Sequence, residues 1–319
     1  MNFAKELKLL KPSCTVPHSF RYQDQLFSQD SFAIFAGLCA VDNRASVEKT
    51  LRCLASLGLT CTRMGAYKPR TTPYAFQGHG ASCLPYVFEL AGKYGIKIIA
   101  MEVTHDRQIA EIQNALALTG YPTGVLLQIG TRNAQNYDLL SRVGEQNDFP
   151  VLYKRGYGIS LEESILATEY IAKAGNQNII FCLRGVKTLL GQPHRNLVDF
   201  AHLPVVKRET KLSVCIDPSH SVGNLLSAPD RILDIFHIAA SGVIMGANMI
   251  LLDIHPDPAH ACVDSEQALS LDTLPWFIED MMLVRETYLK RTQLNKSHNN
   301  HNNKNIIKQH VHTQQETWI

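Results

Sequence analysis

Between residues 31 and 290, short apolar runs alternate with amphipathic stretches eight times, and no other feature constrains the fold as strongly. The runs are Phe32–Ala36, Leu59–Met64, Ile96–Met101, Val125–Ile129, Val151–Tyr153, Ile179–Leu183, Leu212–Ile216 and Met249–Ile254. Each is short, rich in branched residues and largely apolar, the pattern of strands buried on both faces of a parallel sheet. Helical periodicity fills the intervals, over about 43–57, 83–94, 105–118, 135–142, 160–174, 194–202 and 227–245, with one more at 266–290. Eight such units predict an α/β fold, a parallel eight-stranded (β/α)8 TIM barrel. An open, doubly wound sheet is the alternative, but no glycine-rich dinucleotide fingerprint follows the first strand.

A barrel of this kind occupies ~250 residues, so the 319-residue chain holds one with short extensions. Residues 1–30 are too few for a domain and are expected to form a hairpin or an arm; residues 31–291 form the catalytic barrel. Residues 292–319 are rich in Asn and His and lack apolar content, so disorder is expected there. With 31 basic and 29 acidic residues the net charge is +2, too small to draw the chain to nucleic acid or to a membrane. Eight cysteines without a CxxC pair argue against a disulfide framework or a structural zinc site. With no signal peptide and no bilayer-spanning apolar run, a soluble, cytoplasmic protein is expected.

Barrel enzymes build their sites at the C-terminal ends of the strands. Here nearly every run ends in a charged or reactive residue. The second run leads into Arg63–Gly78, where Arg63, Lys68 and Arg70 are punctuated by Gly65, Pro69 and Pro73. That punctuation prevents a helix and leaves the cations on a loop. Guanidinium forks and an ammonium there match phosphate or carboxylate oxygens. Cys39 follows the first run, Glu102 closes the third, and Arg132 follows the fourth. Lys154 and Arg155 close the fifth, and Arg184 the sixth. The last two give Asp217-Pro218-Ser219-His220 and Asp253-Ile254-His255-Pro256. Arg63, Lys68, Arg70, Arg132, Lys154 and Arg184 are cations enough for two phosphorylated substrates. Cys39, His220, Asp253 and the loop residue Asp264 are a thiolate, an imidazole and two carboxylates, a set that favours Zn, Fe, Co or Mn over Mg. Singly, Cys39 reads as a buried small hydrophobe and His220 as part of a capped turn. The metal reading depends on the barrel bringing all four together.

These pieces resemble the 3-deoxy-D-arabino-heptulosonate 7-phosphate (DAHP) synthase family, in its short type I β branch. The resemblance runs over residues 30–280. It rests on Ala36–Cys39, Gly65–Gly78, Gln128–Asn136, Tyr153–Gly156 and Glu169–Ile171, then on Gly175-Asn176, Arg184-Gly185, Asp217–His220 and His255-Pro256. Its most specific part is Lys68-Pro69-Arg70-Thr71. The sister 3-deoxy-octulosonate 8-phosphate synthases share the fold but carry a Lys-Ala-Asn-Arg type of motif there. The resemblance implies a transferase that condenses phosphoenolpyruvate with erythrose 4-phosphate, releasing phosphate, at the head of the shikimate pathway. It implies that Arg132, Lys154 and Arg184 hold phosphoenolpyruvate, assisted by Arg63 and Lys68, with Asp217 in the substrate site. Lys68, Pro69, Arg70 and Thr71 would line the aldose phosphate site. Cys39, His220, Asp253 and Asp264 would hold a divalent metal, with Glu102 and His255 as polar partners near it or its water. A homo-oligomer, dimer or tetramer, is also implied.

Four departures from the family pattern stand out. Asp253 replaces a usual Glu, shortening the reach by one methylene. Leu183 replaces an acid before Arg184, which is expected to remove an orienting partner. Gly37-Leu38-Cys39-Ala40 lacks the proline of Gly-Pro-Cys-Ser, and Val263-Asp264-Ser265 replaces Ser-Asp-Gly. A divergent but active enzyme is expected. The alternatives are a condensing enzyme of a specialised pathway using another aldehyde, and a silent sugar-phosphate-binding paralogue. Length leaves no room for a fused regulatory domain, so no built-in feedback by aromatic amino acids is expected.

Overall fold

The computed structural model describes residues 6–12 and 19–315, with side chains through residue 298. A hairpin of β1 (Ser19–Tyr22) and β2 (Gln25–Ser28) comes first. Its two-residue turn places Gln23 and Asp24 at positive φ, the twist that tight hairpins require. Eight parallel strands follow: β3 (Ala33–Leu38), β4 (Cys61–Met64), β5 (Ile98–Val103), β6 (Gly124–Ile129), β7 (Val151–Lys154), β8 (Ile179–Leu183), β9 (Ser213–Ile216) and β10 (Met249–His255). β10 pairs with both β9 and β3, which closes the barrel. The two-residue β11 (Leu269–Ser270) adds to the end of β10. The predicted (β/α)8 barrel is therefore the fold.

The helices are α1 (Arg44–Ser56), α2 (Leu84–Lys93), α3 (Arg107–Leu118), α4 (Tyr137–Gly144), α5 (Leu161–Ala174), α6 (Leu203–Glu209), α7 (Pro218–Val222), α8 (Asp234–Ile244) and α9 (Leu274–Gln315). Local chemistry sets several of their starts. Asn43 accepts from the Ser46 amide at the head of α1, and Ser160 with Glu163 forms a capping box on α5.

Successive strand residues point to opposite faces, and this alternation divides the core into two layers. Phe35, Cys61, Ile98, Ala100, Leu126, Leu152, Ile180, Cys182, Cys215 and Leu251 fill the barrel interior. Their neighbours, among them Ile99, Leu127, Phe181 and Leu183, pack outward against the helices. The hairpin plugs the interior layer from below. Phe27 is buried in it, stacked on Phe20 at 4.9 Å and packed on Phe35 at 6.5 Å. The Val125 amide donates to the Tyr22 hydroxyl at 2.9 Å. We expect Phe27→Ala to cost about 3–5 kcal/mol of stability, read from urea unfolding, because it opens a cavity under the barrel.

Three helix boundaries differ from expectation. The helix expected at 194–202 is a loop, bridged from Leu197 to Val186, that ends in a single 3-10 turn at Phe200–His202, and α6 starts only at Leu203. Pro204 in the first turn of α6 suits a helix start, whereas Asn196 and Asp199 are drawn into hydrogen bonds with loop backbone. The helix expected from 227 starts at Asp234, after a turn closed between Ser227 and Leu233. The last helix starts at Leu274 and continues to Gln315, through residues for which disorder is expected. Its first turns are nucleated by packing, with Trp276 4.3 Å and Phe277 5.1 Å from Phe236, and no Gly or Pro interrupts propagation afterwards. Residues 316–319 of the expected tail lie outside the described residues.

Candidate active site

The interior alternation that builds the lower core carries polar residues at its upper end. Arg63, Glu102, Gln128, Lys154 and Asp253 sit on strand ends, and Cys39, Arg184 and Asp217 directly follow theirs. The mouth holds a cavity of about 180 Å³. Arg63, Glu102, Lys154, Arg184 and His220 line it from the barrel. Lys68, Arg70 and Thr71 close it from the β4–α2 loop, Arg132 from the loop after β6, and Asp264 from the loop after β10. The Glu102 carboxylate packs against Gly130, where a Cβ would lie 1.8 Å from one of its oxygens and would push that side chain aside.

At one end, ligand atoms of Cys39, His220, Asp253 and Asp264 all lie within 4.8 Å of one another. Cys39 Sγ is 3.0 Å from Asp264 Oδ2 and 3.7 Å from His220 Nε2. His220 Nδ1 is 2.9 Å from Asp217 Oδ2, which turns Nε2 toward the cluster. Burial pushes the His220 imidazole down to about 4, so at neutral pH it is an uncharged ligand. Burial, and then the charge of Asp253, push the Cys39 thiol well up. Burial alone would raise the Asp264 carboxyl, but the Lys68 ammonium and His220 outweigh it and hold it well below the carboxylate range. Asp264 takes a left-handed backbone, φ 51°, which Asp tolerates better than most residues. One thiol, one imidazole and two carboxylates converging in a buried pocket fit a divalent transition metal. Binding would displace the thiol proton, so metal affinity rises with pH.

Cations are packed directly behind these ligands. Lys68 Nζ lies 2.7 Å from Cys39 Sγ and 3.3 Å from Asp264 Oδ2. Arg63 pairs with Asp253 and reaches Cys39 Sγ at 3.7 Å. Two residues that the sequence does not flag fix the carboxylates. Gln267, fully buried, donates to Asp253, and Arg195 joins Gln267 Oε1 at 2.9 Å to Asp264 Oδ1 at 3.1 Å. The expected loss of reach at Asp253 is thus met by a carboxylate held on both oxygens, by Arg63 and by Gln267. We expect Gln267→Leu to weaken Co(II) binding roughly 10–100-fold, read by spectrophotometric titration, because it frees that carboxylate to turn.

At the other end, Arg184 is buried, yet its Nε and NH1 have no hydrogen-bond partner among the described residues. Burial also pulls its basicity down. Among the described residues, Arg63 Nε and Arg70 NH1 are equally without hydrogen-bond partners, and the exposed Arg132 reaches Thr71 Oγ1 at 3.4 Å. Lys154 pairs with Asp217. Buried donors left unpaired are costly, so a group of this kind marks a place for an anion.

Two residues sit otherwise than expected. His255 does not line the cavity; Nε2 meets Asp42 Oδ2 at 2.7 Å and Nδ1 meets the Asp257 carbonyl at 2.6 Å. It ties the loop after β3 to the loop after β10. Leu183 lies in the outer, helix-facing layer, opposite in strand parity to Arg184. An apolar residue there fills core and removes nothing from the guanidinium's side of the strand. Arg155 likewise turns away, to Asp199 at 2.9 Å and His202 at 2.8 Å. Glu102 lines the cavity but stands outside the four-residue ligand cluster.

Gln128, Tyr157, Arg195 and Gln267 are the residues that sequence reasoning missed. Gln128 was readable, as the inward position on β6 two residues beyond Leu126. The other three stand on loops or a short helical turn, where no periodicity marks them.

Fold and rim define the class: a (β/α)8-barrel enzyme whose mouth pairs a cation-lined anion pocket with a cluster of potential metal ligands. The profile of the DAHP synthetase I family matches residues 22–289, and the chain belongs to that family. It is 35% identical over 284 residues to the phospho-2-dehydro-3-deoxyheptonate aldolase of Thermotoga maritima, covering 86% of this chain and 78% of that protein. It is 25% identical over 288 residues to a 2-dehydro-3-deoxyphosphooctonate aldolase of Syntrophobacter fumaroxidans, covering 84% of this chain and 94% of that one. The crystal structure of the Thermotoga maritima enzyme (DAHP synthase) superposes with a TM-score of 0.78 at 33% identity, covering 88% of this chain and 77% of that one. A truncated form of that synthase superposes with a TM-score of 0.75 at 30% identity, covering 88% and 96%. No helix among the described residues is long and apolar enough to cross a membrane.

Proposed function

We propose that this enzyme condenses phosphoenolpyruvate with erythrose 4-phosphate, yielding DAHP and inorganic phosphate. The observation that carries the reading is the shared cavity. Lys68-Pro69-Arg70-Thr71 lines the same space as Arg132, Lys154 and Arg184, next to the Cys39 cluster. Two polyanions must meet there, and their mutual repulsion is offset only by cations on several sides. Arg184, Arg132 and Lys154 take the phosphate and carboxylate of phosphoenolpyruvate. Arg70 and Thr71 take the phosphate end of the aldose, while Lys68 stands between the two substrates. Held in this way, the enol carbon faces the aldehyde carbon, and the entropy of bringing them together is lost on binding rather than in the reaction. The C–C bond forms, water adds to C2, and phosphate leaves from the resulting hemiketal.

Cys39, His220, Asp253 and Asp264 would hold a divalent metal, Mn, Co, Zn or Fe. Such an ion would supply Lewis acidity toward the aldehyde oxygen or a more acidic water. Arg63 and Gln267 keep Asp253 oriented, and Asp217 keeps His220 oriented, with or without it. Similarity to 2-dehydro-3-deoxyphosphooctonate aldolases supports a second reading, in which another aldose phosphate is used. The Lys68–Thr71 sequence speaks for the four-carbon aldose. A panel of erythrose 4-phosphate, arabinose 5-phosphate and other aldose phosphates, each with phosphoenolpyruvate, separates the readings. Turnover with erythrose 4-phosphate alone supports the first; preference for a five-carbon aldose overturns it.

A further inference from the structure

We propose that Tyr157 is a positioning residue for anion binding, its ring serving as the platform that holds three cations at the mouth of the barrel. The inference rests on the reading of this pocket as the phosphoenolpyruvate site. The Arg184 guanidinium carbon lies 4.9 Å from the Tyr157 ring centroid. The Arg132 guanidinium carbon lies at 5.7 Å and Lys187 Nζ at 5.6 Å from the same ring. Among the described residues, Arg184 Nε and NH1 have no hydrogen-bond partner; the Asp217 carboxylate acts on the guanidinium through its charge, and the Tyr157 ring lies against it. The platform is itself anchored, because the Lys187 amide donates to the Tyr157 carbonyl at 2.9 Å. That bond ties the loop after β7 to the loop after β8.

The chemistry of the contact explains its use. A carboxylate beside Arg184 would orient it but would consume N–H donors and cancel charge. An aromatic face attracts a guanidinium through its quadrupole and leaves the in-plane N–H groups free. It also offsets the repulsion of three cations held close together without an anion. Arg184 Nε and NH1 are free for an incoming phosphate or carboxylate for this reason. Each such contact is worth roughly two- to fivefold in affinity at an exposed site, and more when desolvated.

The test is isothermal titration of phosphoenolpyruvate, and of inorganic phosphate, into the full chain and into Tyr157→Leu and Tyr157→Phe, with steady-state kinetics alongside. Tyr157→Leu is expected to bind phosphoenolpyruvate about tenfold more weakly and to raise its KM by a similar factor, with kcat changed less. Tyr157→Phe keeps the aromatic face and is expected to restore affinity to within about twofold. Unchanged affinity in Tyr157→Leu, or equal losses in the Leu and Phe variants, would overturn the platform while leaving the pocket reading intact. Failure of the unmodified chain to bind phosphoenolpyruvate would overturn the pocket reading, and the platform with it.

Discussion

Arg184→Lys lowers kcat/KM for phosphoenolpyruvate by about a hundred- to a thousandfold while the fold is retained. The expectation follows from geometry. Arg184 is buried at the end of β8, on the interior side of the barrel, with two N–H directions unsatisfied. A lysine keeps the charge but offers neither the planar fork nor its stacking on Tyr157. The loss should therefore exceed that of removing one hydrogen bond from a flexible, exposed cation. Phosphate-release rates across a phosphoenolpyruvate series measure it directly. Wild-type kcat/KM in the lysine variant would mean that the fork does not touch substrate.

Cys39→Ala should abolish tight transition-metal binding and, with it, at least about a hundredfold of the activity. Cys39 is the one soft ligand in the cluster, and it lies within 4 Å of Lys68, Arg63, His220 and Asp264 alike. Without it, two carboxylates and an imidazole remain, a harder and weaker set. Lys68 keeps Asp264 at 3.3 Å as a partner, so the change should leave no buried cation unpaired and stability should fall little. In Co(II) protein the thiolate charge-transfer band would vanish. Metal bound as tightly as in the unmodified chain would show that the thiolate is not a ligand.

Much of this architecture was legible because a parallel barrel repeats one simple pattern. Buried strands are short apolar runs, and all eight found their places, with Ile179–Leu183 matching residue for residue. Arg63, Lys154, Arg184 and Asp253 stand at or beside the ends of those runs, so their place on the rim was readable without any contact information. What was not legible lies where the chain leaves that periodicity. The loop after β8 hides Arg195 inside what reads as helix over 194–202, since charged and apolar residues there fit either state. Gln267 comes from a turn after β10 and meets Asp253 across 14 positions of sequence. Tyr157 reads as an ordinary loop aromatic until three cations, from as far as position 187, surround it. Leu183 shows the opposite failing. Adjacency in sequence suggested a lost partner for Arg184, but adjacency along a strand puts two side chains on opposite faces.

The central claim is that one cavity joins a phosphoenolpyruvate pocket to a metal-dependent aldose site. The measurement that tests it most directly is phosphate release from phosphoenolpyruvate, with and without erythrose 4-phosphate, after chelation and then re-addition of Mn, Co, Zn or Fe(II). The account predicts release that requires both the aldose and a metal, and that is restored by at least one of the four ions. Release independent of the aldose, or undiminished by complete chelation, would contradict it.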